Sequence, residues 1–86
     1  MDTEATIVES AVSKDGKRRW ELVQRHDGFF VYGEDRFFIE DLTEFGGGIM
    51  EYWGPTHFSG LFDTAAEARM DSLATLPWLR EVLAAH

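Results

Sequence analysis

Residues 29–40 read FFVYGEDRFFIE, and this aromatic and β-branched content predicts extended structure along the stretch. Two phenylalanine doublets, Phe29-Phe30 and Phe37-Phe38, flank a polar centre at Gly33-Glu34-Asp35. That centre fits either a β-bulge or a short turn, because an isolated glycine among strand residues is typical of both. We favour the turn, which predicts one strand over residues 29–32 and another over residues 36–39.

The residues before this stretch predict a β-hairpin. Residues 6–12 are rich in β-formers, and Lys14-Asp15-Gly16-Lys17 supplies an Asp-Gly turn. The next strand, residues 18–24, alternates apolar Trp20 and Leu22 with charged neighbours, which is the pattern of a half-buried strand. A second turn is expected at His26-Asp27-Gly28, immediately before the aromatic stretch.

The residues after this stretch predict a loop, one more strand and a helical end. An acidic segment, residues 41–48, ends in three glycines, and a last strand over residues 49–53 is expected to stop at Gly54-Pro55. Thr64-Ala65-Ala66-Glu67 fits a capping box, in which the threonine hydroxyl accepts from the glutamate amide and a helix begins. The apolar stripe expected to pack near Trp20 repeats at helical spacing and consists of Ala66, Met70 and Leu73.

Pro77 has no backbone N–H to donate, so it is expected to kink the helix or to open a second one. The sequence therefore predicts one α+β domain spanning residues 1–86. Its antiparallel sheet would have three to five strands, packed by a C-terminal helix that is kinked or split at Pro77.

Gly60-Leu61-Phe62-Asp63-Thr64, followed by Ala65-Ala66-Glu67-Ala68, resembles the strand-to-helix junction of plant AP2 domains and of the arm-binding domains of phage integrases. The resemblance implies a three-stranded sheet packed on one helix. Both families bind DNA through a sheet that is rich in Arg and Lys. This chain instead carries acids there, so their DNA binding is not carried over: Glu34, Asp35, Glu40, Asp41, Glu44 and Glu51.

Composition excludes several classes of function. The 86 residues contain no cysteine, which excludes disulfides, thiolate nucleophiles and cysteine-ligated zinc. A net charge of −8 disfavours binding to nucleic acid and to anionic membranes. No apolar run approaches the roughly 20 residues of a membrane span, and the amino terminus lacks the features of a secretory signal. We therefore expect a soluble, cytoplasmic domain.

The aromatic doublets carry the main functional hypothesis, because adjacent residues of a strand point to opposite faces of the sheet. We expect Trp20, Leu22, Phe37 and Ile39 under the helices, with either Phe29 and Val31 or Phe30 and Tyr32. The other face would then expose rings to a partner. The aromatic contact candidates are Phe30, Tyr32, Phe38 and Trp53. The charged contact candidates are Glu40, Asp41 and Glu44, which would mainly affect the rate of encounter with the partner.

The sequence thus predicts a non-enzymatic interaction module that acts as a homodimer or as a small acidic inhibitor of a basic or nucleic-acid-binding partner. The alternative is a nucleic-acid-facing module that uses the basic hairpin, residues 14–25. The third is a small enzyme or a metal-binding domain, but His26, His57 and His86 are widely spaced and the chain has no nucleophile elbow around Ser59. No catalytic residue, metal ligand or cofactor is predicted.

Overall fold

The computed structural model describes residues 5–84. Within them, four strands form one antiparallel sheet in the order β1-β2-β3-β4, and two helices follow. The elements are β1 (Thr6–Val12), β2 (Arg18–Gln24), β3 (Phe30–Asp41), β4 (Ile49–Phe58), α1 (Ala65–Thr75) and α2 (Pro77–Leu83). A 3₁₀ turn, Thr43–Phe45, lies between β3 and β4. The predicted α+β fold is confirmed, including the split of the C-terminal helix at Pro77.

β3 is one continuous strand, so the turn that we favoured at Gly33-Glu34-Asp35 is wrong. These three residues pair in unbroken register with residues 19–21 of β2. On the other side, the register shifts by one between Glu34 and Asp35, because β4 carries Thr56 as an extra residue. A bulge is therefore present, although it lies in β4. Partner strands on both sides satisfy the backbone of Gly33-Glu34-Asp35 and outweigh its local turn preference.

β4 also runs further than the sequence predicted, through Gly54-Pro55 to Phe58. The backbone N–H of Leu42 donates to the carbonyl of Gly48 at 2.9 Å. In an antiparallel pair, every second residue of a strand directs its backbone N–H toward the partner strand. Gly48 points toward β3, so the nitrogen of Pro55, seven residues later, points away from β3 and toward the free edge of the sheet. An edge position needs no donor, which is why the strand tolerates a proline there.

The unbroken β3 decides which rings share a side, because alternate residues keep one direction along the whole strand. The side covered by the helices, here called the helix face, carries Trp20, Leu22, Phe30 and Tyr32. The opposite side, here called the open face, carries Phe37 and Ile39 together with Trp53. Our expectation that Phe37 and Ile39 lie under the helices is therefore wrong, because it required a turn that would reset the alternation.

α1 packs on the helix face through small side chains. Ala68 and Ser72 are buried, and the indole nitrogen of Trp20 donates to the hydroxyl of Ser72 at 2.9 Å. The predicted stripe consisted of Ala66, Met70 and Leu73. The prediction is wrong for two of the three residues, since Ala66 is exposed and Met70 is 71% exposed, whereas Leu73 is partly buried against the core as expected. The large indole of Trp20 occupies the space between sheet and helix, so small residues face it.

Both helix starts follow the signals in the sequence. The hydroxyl of Thr64 accepts from the backbone N–H of Glu67 at 3.1 Å, as the capping box predicts. Pro77 is the first residue of α2 and follows Leu76, whose backbone is extended. The break between the helices therefore lies where proline needs no donor.

β3 and β4 continue past the other strands as a two-stranded ribbon, residues 38–52, here called the arm. Toward β2, the backbone N–H of Phe37 donates to the carbonyl of Lys17 at 2.9 Å. Residues 38–41 of β3 lie beyond this bond and pair with no residue of β2. The described part of the chain is flat, with principal extents of 48 × 36 × 18 Å.

Candidate functional site

The open face is centred on an aromatic pair from neighbouring strands. Phe37 and Trp53 are register partners, and their rings meet edge to face with centroids 5.5 Å apart. The guanidinium of Arg19 lies over the Trp53 ring at 4.4 Å and bonds the carboxylate of Asp35 at 3.0 Å. These contacts pack the two rings together, and aromatic side chains are favourable contact centres for another protein.

Aliphatic and aromatic side chains extend this centre in both directions along the sheet. Toward the arm, Ile39 is 58% exposed and Ile49 is also exposed. Toward the other end lie half-buried Val31 and Phe58, the latter 76% exposed. No segment of residues 5–84 covers this surface, since both helices pack on the other face. Several exposed apolar side chains on one uncovered face of a sheet are typical of an interaction site.

A hollow interrupts the open face at Gly33. Gly33 pairs with Glu21 on β2 and with Phe58 on β4, so a position flanked by side chains on both sides has none of its own. The resulting cavity is shallow and open, with a volume of about 300 Å³. Its other walls include Val23, Val31 and Asp35.

The charge of the open face is mostly negative. Asp35 is neutralised by Arg19, whereas Glu21 and Glu51 form no ion pair with a basic residue among residues 5–84. Asp41 lies near the end of the arm, where hydrogen bonds from the hydroxyl and backbone N–H of Thr43 hold the pKa of its carboxyl below the usual value. The carboxylates of Glu21, Asp41 and Glu51 therefore accompany the exposed apolar groups, and none of them forms an ion pair among residues 5–84.

The structure separates the contact residues that we predicted from the sequence. Phe30 and Tyr32 lie on the helix face, where Tyr32 is 2% exposed and its hydroxyl donates to Asp71 at 2.6 Å. Phe38 stacks on Tyr52 with centroids 5.5 Å apart, on the helix-face side of the arm. Trp53 alone of the four aromatic candidates lies on the open face.

The charged candidates all lie on the arm. Glu40 is on the helix-face side of the ribbon, Asp41 is on the open-face side, and Glu44 is in the 3₁₀ turn at its tip. Phe37 and Ile39 were missed as open-face residues, whereas Arg19 lies opposite Trp20 and Leu22 as the alternation of β2 predicted. The alternation of Trp20 and Leu22, continued through an unbroken β3, would have identified them.

The geometry also bears on the alternative chemistries. The hydroxyl of Ser59 accepts from the backbone N–H of Tyr32 at 2.9 Å and donates to the carbonyl of Gly60 at 2.8 Å, which are structural bonds. His57 stacks on Tyr32 with centroids 5.5 Å apart. Within residues 5–84, no group of three or more His, Asp and Glu side chains is placed to hold a metal ion. Trp20, the aromatic residue within the basic hairpin, is buried and cannot stack on a nucleic-acid base.

Comparisons with protein families, with curated proteins and with solved structures found no match to this chain. Neither helix of the described residues is long and apolar enough to cross a membrane.

Proposed function

We propose that this domain is a non-enzymatic protein-interaction module that binds a basic partner protein on its open face. The observation that carries the proposal is the coincidence of exposed apolar side chains with carboxylates that have no basic partner among residues 5–84. Apolar groups supply most of the contact energy in protein interfaces, and charges mainly set encounter and specificity. Both kinds of group lie on one surface here.

The size of the open face suits a protein partner. Strands of 7 to 12 residues, spaced about 4.8 Å apart and rising about 3.4 Å per residue, give four strands a projected area of roughly 600 Å². A standard interface takes about 800 Å² of accessible surface from each partner. Side chains corrugate the sheet and make its accessible area larger than the projected one, so the two values are comparable.

Charge complementarity favours a basic partner over a second copy of this chain. If two open faces packed together, the unpaired carboxylates Glu21, Asp41 and Glu51 of each copy would be buried against like charges. Burying an unpaired charge is costly, whereas Lys and Arg of a basic partner would compensate it. The net charge of −8 acts in the same direction at long range. Where the partner's basic surface is one that binds nucleic acid, occupying it would make this domain an inhibitor.

The proposal can be tested by selecting ligands from a phage-displayed library of random dodecapeptides. We expect the enriched peptides to combine Lys or Arg with aromatic or branched aliphatic residues. Ile39→Ser removes an exposed apolar group from the open face and should weaken binding of a selected peptide by about tenfold. Met50→Ser is the matched control, because Met50 is 50% exposed on the opposite side of the arm.

Three results would contradict the proposal. Enriched peptides without basic residues would show that charge does not select the ligand. Equal effects of Ile39→Ser and Met50→Ser would show that the ligand does not bind on the open face. A stable dimer in sedimentation that Ile39→Ser dissociates would assign the open face to a second copy instead.

A further inference from the structure

The hollow at Gly33 has a shape and a charge that suit one kind of side chain. We infer that it receives a single arginine side chain from the partner, an assignment that rests on the proposed function and specifies its chemistry. The feature that carries the inference is an unpaired carboxylate, Glu21, at the wall of an apolar depression.

The depression exists because of where the glycine sits. Residues opposite each other on neighbouring strands bring their side chains close together, so Glu21, Gly33 and Phe58 form one row across β2, β3 and β4. Any other residue at the middle of that row would place a side chain in the gap. A Cβ at Gly33 would also lie 3.2 Å from the carbonyl oxygen of His57, which is a tight contact. The row therefore stays open at its centre.

The walls match the parts of an arginine side chain. Val23 and Val31 provide apolar surface for the methylene stem, and Phe58 provides a ring on which a guanidinium can stack. The carboxylate of Glu21 can accept two parallel N–H bonds from the guanidinium fork. Asp35 also lines the hollow, but Arg19 already bonds it at 3.0 Å. Glu21 is thus the acceptor that an incoming arginine would meet.

Arginine fits these walls better than lysine does. A guanidinium is more weakly hydrated than an ammonium, so it is less costly to desolvate against Phe58. It also presents a planar fork to a carboxylate, whereas an ammonium acts as a point charge.

The test uses amide chemical shifts of the ¹⁵N-labelled protein titrated with N-acetyl-arginine amide. We expect saturable shifts at Gly33, Val31 and Val23. The uncharged isostere N-acetyl-citrulline amide should give no saturable shift, and N-acetyl-lysine amide should bind more weakly than the arginine compound. Glu21→Gln keeps the shape and removes the charge, so it should weaken arginine binding about fivefold. Glu51→Gln is the matched control on the same face outside the hollow.

Citrulline binding equal to arginine binding, or equal affinities of the two variants, would overturn the inference. So would lysine binding equal to arginine binding. This failure is distinguishable from failure of the proposed function. Basic peptides that bind through Ile39 without shifting Gly33 would refute the hollow alone, whereas arginine binding without any selected peptide would refute the partner.

Discussion

Tyr32 links the sheet to α1 through one buried hydroxyl. Burial raises the pKa of its phenol above the ordinary value, and the hydrogen bond that it donates to Asp71 at 2.6 Å raises it further. A proton that the folded chain retains and the unfolded chain releases makes stability depend on pH. Tyr32 therefore contributes stability that is complete below the unfolded pKa and is lost as the pH rises through the folded one.

This linkage gives a prediction for alkaline solution. Above about pH 10, where an unfolded tyrosine ionises, the free energy of unfolding of the wild type should fall more steeply than that of Tyr32→Phe. Urea denaturation at neutral pH and at several values above pH 10 measures the difference. Tyr52→Phe removes the same single oxygen from the exposed arm and is the matched control. Parallel curves for wild type and Tyr32→Phe would contradict the assignment.

The two helices differ in which side chains they bury against the sheet. Leu79 of α2 is fully buried, whereas Met70 of α1 is largely exposed despite its place in the predicted stripe. Leu79→Ala should therefore lower the free energy of unfolding by about 3 kcal/mol, through lost burial and a residual cavity. Met70→Ala should change it by less than about 0.5 kcal/mol. Denaturant titration of both variants measures the contrast, and similar losses would contradict the observed helix register.

The positions of elements were predictable where a short motif decides them. The Asp-Gly turn after β1, the capping box at Thr64 and the break at Pro77 all depend on local backbone chemistry, and each forms where the sequence predicts it. Gly33-Glu34-Asp35 was not predictable in the same way. Its turn preference is local, but strands that lie apart in sequence supply the pairing that keeps it extended.

The residues of the open face were mispredicted because of the turn that we favoured at Gly33. A turn at Gly33 would have reset the alternation of β3, and the sequence offers no local signal that decides between turn and strand. The helix register was hidden for a related reason. Ala68 and Ser72 are too small to stand out in a hydrophobic pattern, and their burial depends on the bulk of Trp20 across the interface. Both errors concern which side of an element faces inward.

The arm carries acidic residues beyond the end of the other strands, so the negative electrostatic potential of the molecule reaches past the open face. Residues 38–52 carry Glu40, Asp41, Glu44 and Glu51 and no Lys or Arg. Such a field attracts a basic ligand from a distance but is screened beyond about 8 Å at physiological ionic strength. The arm should therefore act on the rate of association more than on the lifetime of the complex.

The double variant Glu40→Gln/Glu44→Gln should slow association with a selected basic peptide by about two- to fivefold at low salt. Its dissociation rate should match that of the wild type, because neither side chain belongs to the apolar centre of the open face. Stopped-flow fluorescence measures both rates, and the difference should vanish at high salt. A change confined to dissociation would place these acids in direct contact with the ligand.

β4 is an outer strand of the sheet and carries Pro55 along its free edge. An exposed outer strand presents unpaired backbone groups that can pair with another chain and start a fibre. Pro55 has no donor to offer an incoming strand, and the bulge at Thr56 disturbs the spacing beside it. The chain can thus leave its open face uncovered while this edge resists the strand-by-strand addition that leads to amyloid.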